Sequence, residues 1–213
     1  MFTVLIQNLF ILIDIYEKGD ELLDILPECE KANNPNLVLI FTSTSKITYP
    51  GSGVSCLGAS RENIDQIKKI MQMQTIGHDK MNMLRHVKYF GSADGVREYM
   101  KGHADILRPK FEVCQKILSQ ELSVCDNVSW TKPLGGYFVS LNVPEGCAKK
   151  VVEMCAGAGV VLTDAGATFP YHIDPKDENI RIAPSFPPVE ELEKGLEVLC
   201  CCVKLAFLET KLG

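Results

Sequence analysis

The sequence predicts an α/β protein in two parts, a layer of mostly parallel sheet with helices followed by a smaller C-terminal α+β region. Three observations carry this. An apolar N-terminal stretch, a helical segment and the apolar run Leu37 to Phe41 follow one another in strand–helix–strand order, with a further apolar run at Val54 to Ala59. From about Asn127 the composition changes to hairpin-like strands with helical segments after them. Finally, 213 residues at 46 % hydrophobic content suffice to bury a core, as one large domain or two small ones.

Element by element, Met1 to Ile13 is apolar and reads as one or two strands. It lacks a basic leader, a small-residue cleavage site and the roughly 18 residues of a membrane span. Asp20 to Leu26 opens a helix with acids in its first turn, kinked or shortened at Pro27. The strand to Phe41 follows, then a Ser/Thr/Gly/Pro loop, then the strand Val54 to Ala59. Ser60 caps a helix through about Met73, with Ile64, Ile67, Ile70 and Met71 on its inner face. Thr75 to Gly91 is less regular. Ser92 starts a helical stretch to about Leu122, interrupted at Pro109. Val128 to Trp130 and Tyr137 to Asn142 are strands separated by the turn Lys132 to Gly136. A helix over Ala148 to Ala158, strands at Val160 to Leu162 and Ile180 to Ala183, and a helix over Val189 to Lys211 complete the chain.

A net charge of −5 without a basic stripe argues against nucleic acid or an anionic membrane as partner. Nine cysteines lack metal-ligand spacing, and their odd number, with Cys200, Cys201 and Cys202 adjacent, is a poor disulfide framework. The expectation is a reduced, cytoplasmic protein with those three as small apolar residues on the last helix.

Lys46 stands in Thr42-Ser43-Thr44-Ser45-Lys46-Ile47-Thr48-Tyr49-Pro50-Gly51-Ser52-Gly53, directly behind a buried strand. The arrangement brings an amine into a hydroxyl-rich turn, a setting suited to an aldehyde cofactor that also carries phosphate. Desolvation lowers a lysine's pKa and enables Schiff-base chemistry. Small hydroxyls and close glycine backbone hold phosphate.

Further motifs follow in order: Gly135-Gly136-Tyr137-Phe138, then Asp164-Ala165-Gly166-Ala167-Thr168-Phe169-Pro170, then Asn179-Ile180-Arg181-Ile182-Ala183-Pro184-Ser185. Together with the lysine motif they resemble the C-terminal half of a class I/II aminotransferase of the fold-type I pyridoxal-phosphate (PLP) family. The nearest subgroup is the bacterial-type aspartate aminotransferases, also labelled alanine–glyoxylate or MocR-like. The resemblance runs from about Glu21 to Leu212.

It implies a division into residues 1–91, a remnant of the PLP-binding large domain, 92–126, a linking helix, and 127–213, the small domain. By this resemblance Lys46 is the Schiff-base lysine and proton shuttle, Ser43 binds cofactor phosphate with Ser45 assisting, and Arg181 grips the substrate α-carboxylate. A planar fork making two charge-assisted bonds suits that last task. Lys80, Asn82 and Arg85 lie where relatives send polar residues across a dimer interface.

The chain also departs from the family. Many class I members have a phosphate-binding arginine eight residues after the lysine, where this chain has Val54. Registering on Asp20-Glu21-Leu22-Leu23 puts Gln7-Asn8-Leu9-Phe10 at the family's Asp-Asn-(Ala/Pro)-Tyr cofactor motif. Asn8 is retained as a cofactor contact. Gln7 cannot supply the carboxylate for the pyridine nitrogen, and Phe10 has no hydroxyl.

The resemblance implies PLP-dependent amino-group transfer from aspartate or another dicarboxylic amino acid to a 2-oxo acid, in a homodimer or paired with a related subunit. Activity is expected to be impaired, since much of the cofactor cradle is missing. The alternative is a non-catalytic truncated paralogue that pairs with a full-length aminotransferase subunit. The lysine motif also leaves lyase or decarboxylase chemistry open.

Overall fold

The computed structural model describes residues 3–5 (backbone), 23–49 and 51–212. The described chain forms two compact units, Met1–His103 and Ala104–Gly213. The expected strand content of Met1 to Ile13 is met at Thr3–Leu5; its other residues, and the helix start at Asp20 to Leu22, lie outside the described residues.

In the first unit, β1 (Thr3–Leu5), β2 (Val38–Ser43) and β3 (Ser55–Ala59) form a sheet in that order. β1 runs parallel to β2, pairing Thr3 with Val38. β3 is antiparallel to β2, pairing Ser43 with Ser55. The parallel layer expected from the sequence therefore holds for one of these two pairings. The other reverses because the loop between β2 and β3 is too short for a crossover.

Helix α1 spans Ile25–Lys31. Pro27 lies in its first turn, where the missing N–H costs nothing, so it helps to start a helix rather than kink one. Ile25 and Leu26 pack on Cys29, Val38 and Ile40, a small core set by the alternation of β2.

Helix α2 (Arg61–Gln74) begins as expected, with the Ser60 hydroxyl accepting from Asn63 N at 3.2 Å. Its predicted inner face is largely uncovered: Ile64 and Ile67 are half-buried, while Ile70 and Met71 are exposed. The segment read as irregular is mostly helix, α3 (Lys80–Phe90), whose N-cap Asp79 accepts from Asn82 N at 3.0 Å and which stops at Gly91. Those caps were the available signal. Its apolar residues, Met81, Leu84 and Val87 among them, are exposed, and no residue of α3 is buried.

Helix α4 (Ala93–Leu122) runs unbroken for 30 residues through Pro109, contrary to the expected interruption, and crosses the boundary between the two units. Around and beyond the proline, Leu107, Phe111, Cys114, Leu118 and Leu122 are buried at helical spacing. Their packing outweighs the one backbone bond that Pro109 removes, a local defect of about 3 kcal/mol.

In the second unit, β4 (Ser129–Trp130), β5 (Val139–Asn142) and β6 (Asn179–Ile182) make an antiparallel sheet in chain order. Tyr137 and Phe138 precede β5 rather than belonging to it, so residues 131–138 form a loop wider than a hairpin turn. Helices α5 (Ala148–Gly157) and α6 (Val189–Leu212) complete the unit. Val139, Leu141, Val151, Ile180, Leu199 and Val203 are fully buried. Val160 to Leu162 is not a strand: Val160 N closes the end of α5 on Cys155 O at 2.8 Å, and Val161 is 89 % exposed. All nine cysteines are free, and on α6 Cys200 and Cys202 are buried while Cys201 is exposed. Among the described residues, no helix is long and apolar enough to cross a membrane.

Candidate active site

The lysine loop continues the β2–β3 pairing by one residue and then turns. Thr44 N donates to Val54 O, and Val54 N donates to Thr44 Oγ1, both at 2.9 Å. Thr44 O accepts from both Ile47 N and Thr48 N at 2.9 Å, so residues 44–48 form a single tight turn. Ile47 anchors it at 2 % exposure, and this holds Lys46 at the crest, exposed. The expectation of a desolvated amine is therefore not met by the described residues of this chain. A strand end and a buried isoleucine set the position of the amine, and they set it at the surface.

Ser43 and Ser45 come together, their hydroxyl oxygens in direct hydrogen bond, with Ser45 N donating to Ser43 Oγ at 3.1 Å. Gly53 lies flat against them. A Cβ there would meet Ser45 Oγ at 2.8 Å and the Ser45 backbone at 3.0 Å, so only glycine allows the two arms of the loop to approach. Asn8, with Gln7 and Phe10, lies outside the described residues.

Helix α3 braces this loop, which the sequence did not foretell. His86 Nε2 lies 2.8 Å from Thr48 Oγ1, and His86 Nδ1 lies 2.9 Å from Asn82 O. Thr48 Oγ1 is also 3.0 Å from Thr44 Oγ1. Asn82 Nδ2 donates to Ser52 O at 2.8 Å. Asn82 thus serves its own chain's loop here, while Lys80 and Arg85 are exposed. Tyr49 sits edge-on to His86 and Tyr89, and burial, then the neighbouring Tyr89 and Tyr99, raise its hydroxyl pKa. A cavity of about 460 Å³ beside the loop is lined by Thr44, Thr48, His86 and Phe90.

Arg181 belongs to the second unit. It stands on β6 opposite Ser140, its guanidinium carbon 4.7 Å from the centroid of the Phe138 ring. Its Nε is buried without a hydrogen-bond partner, and no acid among the described residues forms an ion pair with it. A cavity of about 570 Å³ opens beside it, lined also by Thr163, Phe186 and Glu191. Neighbouring Asn179 is buried and fully engaged, donating to Ser140 Oγ and Asn142 Oδ1 and accepting from Thr168 Oγ1. The Asp164–Pro170 motif is pinned at Gly166, where φ is +81° and a Cβ would strike His172 O at 2.6 Å. Lys110 Nζ on α4 donates to Ser185 O at 2.6 Å, steadying the segment behind Arg181.

Asp174 closes the turn before β6. Burial pushes its carboxyl up, but the N–H groups of Asn179, Glu178, Lys176 and Asp177 outweigh burial together and hold it below the ordinary carboxylate range.

A family model described as aspartate amino-transferase matches residues 1–213. An aspartate aminotransferase of Corynebacterium glutamicum is 43 % identical over 208 residues, 98 % of this chain and 48 % of that protein. The crystal structure of an aspartate transaminase from Corynebacterium glutamicum matches with a TM-score of 0.84 at 44 % identity, covering 92 % of this chain and 46 % of that one. An α-aminoadipate aminotransferase from Thermus thermophilus, solved in complex with N-(5'-phosphopyridoxyl)-L-leucine, shares the fold at 20 % identity, with a TM-score of 0.69. The chain spans about half the length of the curated relatives it matches. With the lysine turn, the buried Arg181 Nε without an acceptor and a match along its whole length, the chain belongs to the aspartate amino-transferase family.

Proposed function

We propose that this chain supplies the lysine and arginine of a PLP-dependent aminotransferase acting on aspartate or another dicarboxylic amino acid and a 2-oxo acid. The observation that carries this reading is a lysine held at the crest of a tight turn, with two serine hydroxyls meeting beside it over Gly53. The residues fit one end of the cofactor. The Ser43 and Ser45 hydroxyls and the open backbone at Gly53 suit a phosphate, and Lys46 supplies the amine. When bound, PLP supplies an electron sink for the substrate's α-carbon.

The chain's own part is to bind, orient and move a proton. Lys46 would hold the cofactor through Nζ, and the same amine would serve as the base for the proton on the substrate's α-carbon. Arg181, with its buried Nε unpartnered, takes the substrate carboxylate through its fork and fixes which bond is broken. Asn8, which lies outside the described residues, would be a further cofactor contact. In domain terms, 1–91 serve the cofactor, 127–213 form the small domain, and 92–126 link them. A dimer in the cytoplasm is the setting this reading implies.

A specific observation favours a second reading, in which the chain pairs with a full-length aminotransferase subunit and is itself non-catalytic. Ile70, Met73, Met81, Leu84, Val87 and Tyr89 are all exposed, and Lys46 is exposed too. The deciding experiment adds PLP to the purified chain. A visible absorption band is expected that is abolished in Lys46→Ala. Absence of a Lys46-dependent band rejects cofactor binding by the chain. A band without aspartate turnover, together with co-purification with a larger aminotransferase subunit, supports pairing.

A further inference from the structure

We propose that His86 is a positioning residue for Lys46, acting through a hydrogen-bond chain of defined polarity that ties α3 to the lysine turn. The inference rests on reading Lys46 as the reactive amine, but its geometry stands by itself. His86 Nδ1 is 2.9 Å from Asn82 O, a backbone carbonyl that can only accept, so Nδ1 carries the proton. In the neutral ring Nε2 is then an acceptor, and the group in reach is Thr48 Oγ1 at 2.8 Å. Thr48 has one hydroxyl proton. The other acceptors in reach of that proton are Thr44 Oγ1 at 3.0 Å and Thr44 O at 3.3 Å, so the imidazole makes the shortest of its three contacts. Thr44 Oγ1 in turn accepts from Val54 N at 2.9 Å.

Every group in this chain has a partner within hydrogen-bond reach, and the imidazole is the one that links the turn to α3. Thr48 is buried, so if His86 is lost its hydroxyl turns to the longer contacts with Thr44 inside the turn, and the tie to α3 is gone. Thr44 and Thr48 flank Lys46 symmetrically at positions −2 and +2. Their two hydroxyls therefore fix both feet of the turn whose crest is the amine. Asn82 adds a second tie from the same helix, its Nδ2 donating to Ser52 O at 2.8 Å. The aromatic packing of Tyr49 and Phe90 on the imidazole, at centroid distances of 5.2 and 6.0 Å, restrains ring rotation. A side chain of right size but without an acceptor at the Nε2 position fills the space and leaves the turn loose.

The test uses the full chain and has three readouts. Long-range ¹H–¹⁵N spectra of the wild type are expected to show His86 protonated at Nδ1; protonation at Nε2 alone overturns the proposal. In His86→Phe, amide exchange at Thr48 and Val54 is expected to accelerate about tenfold, while His86→Gln, whose amide oxygen can still accept, stays near wild type. Equal exchange in His86→Phe and wild type overturns it. So does failure of glutamine to rescue. The apparent affinity for PLP, read from the Lys46-dependent band, is expected to follow the same order, weaker about tenfold in His86→Phe and restored in His86→Gln. Should His86→Phe not fold, Thr48→Val against Thr48→Ser makes the same comparison from the other end of the bond. If the wild type forms no such band, the cofactor reading fails, while the tautomer and the exchange rates still judge the brace.

Discussion

Arg181 stands on β6 with its guanidinium over Phe138 and its Nε buried but unpartnered. A buried donor without an acceptor costs on the order of 1–3 kcal/mol, which a carboxylate ligand would return. Arg181→Lys keeps the charge but loses the planar fork. The expected result is an apparent KM for the amino acid raised about tenfold or more, with a smaller change in kcat, measured by steady-state kinetics of the cofactor-loaded protein. Gly53 provides a steric counterpart on the lysine loop. Gly53→Ala places a methyl against the Ser45 backbone at 3.0 Å, where a flexible side chain alone cannot give way. Loss of PLP binding with an unchanged far-ultraviolet circular dichroism spectrum is expected.

At the scale of elements, α4 shows how packing decides a contest with local propensity. Pro109 falls between Leu107 and Phe111, both almost wholly buried, and the helix continues through it. Truncating the stripe should therefore matter more than altering the proline. Leu118→Ala, at a fully buried site, is expected to destabilise the protein by about 2–5 kcal/mol in urea unfolding. Pro109→Ala is expected to be neutral or stabilising, because it restores one helical hydrogen bond. The turn before β6 gives an acid-dependent element. The folded pKa of Asp174 is below its unfolded value, so the unfolded chain binds more protons between the two. Its stabilisation is present above the unfolded value near ~3.9 and is lost as pH falls through the folded one. Asp174→Asn is expected to lower the melting temperature near neutrality, where the carboxylate's contribution is present, and to flatten the acid limb, so that the two profiles converge at low pH.

For the whole molecule, the cysteines report on which surfaces are closed. Burial pushes the Cys114, Cys155 and Cys200 thiols up to about 12, so these three stay protonated near neutrality. Cys56 and Cys201 are exposed. A thiol reagent is expected to modify Cys56 and Cys201 rapidly in the native chain, and all nine only after unfolding. Cys56 lies on β3, among the residues lining a cavity of about 780 Å³ with Phe41, Leu57, Ile67 and Met71. Under the pairing reading that apolar face is covered, so protection of Cys56 on mixing with a full-length aminotransferase subunit, with Cys201 still reactive, is the expected outcome.

Local patterns in the sequence translate directly into elements. The alternation around Val38 and Ile40, the Ser60 cap, and the apolar stripes of α4 and α6 all do so, because each residue's neighbours in sequence are also its neighbours in the element. The motif order around Lys46 and Arg181 likewise carries the family. Helix α3 carries both caps and apolar residues at helical spacing, Met83, Val87 and Phe90, but the polar residues between them mask the pattern. The strand expected at Val160 does not form: Val160 N is taken up in closing α5 on Cys155 O, and Val161 is exposed. The linear order of residues is thus enough to name the family. Their setting comes from folding in three dimensions: the antiparallel return of β3, the exposure of Lys46, the Arg181 Nε left without an acceptor, and the imidazole of α3 reaching back to Thr48. The tie from His86 to Thr48 joins residues 38 apart in the chain, and no local pattern encodes the partner of such a contact.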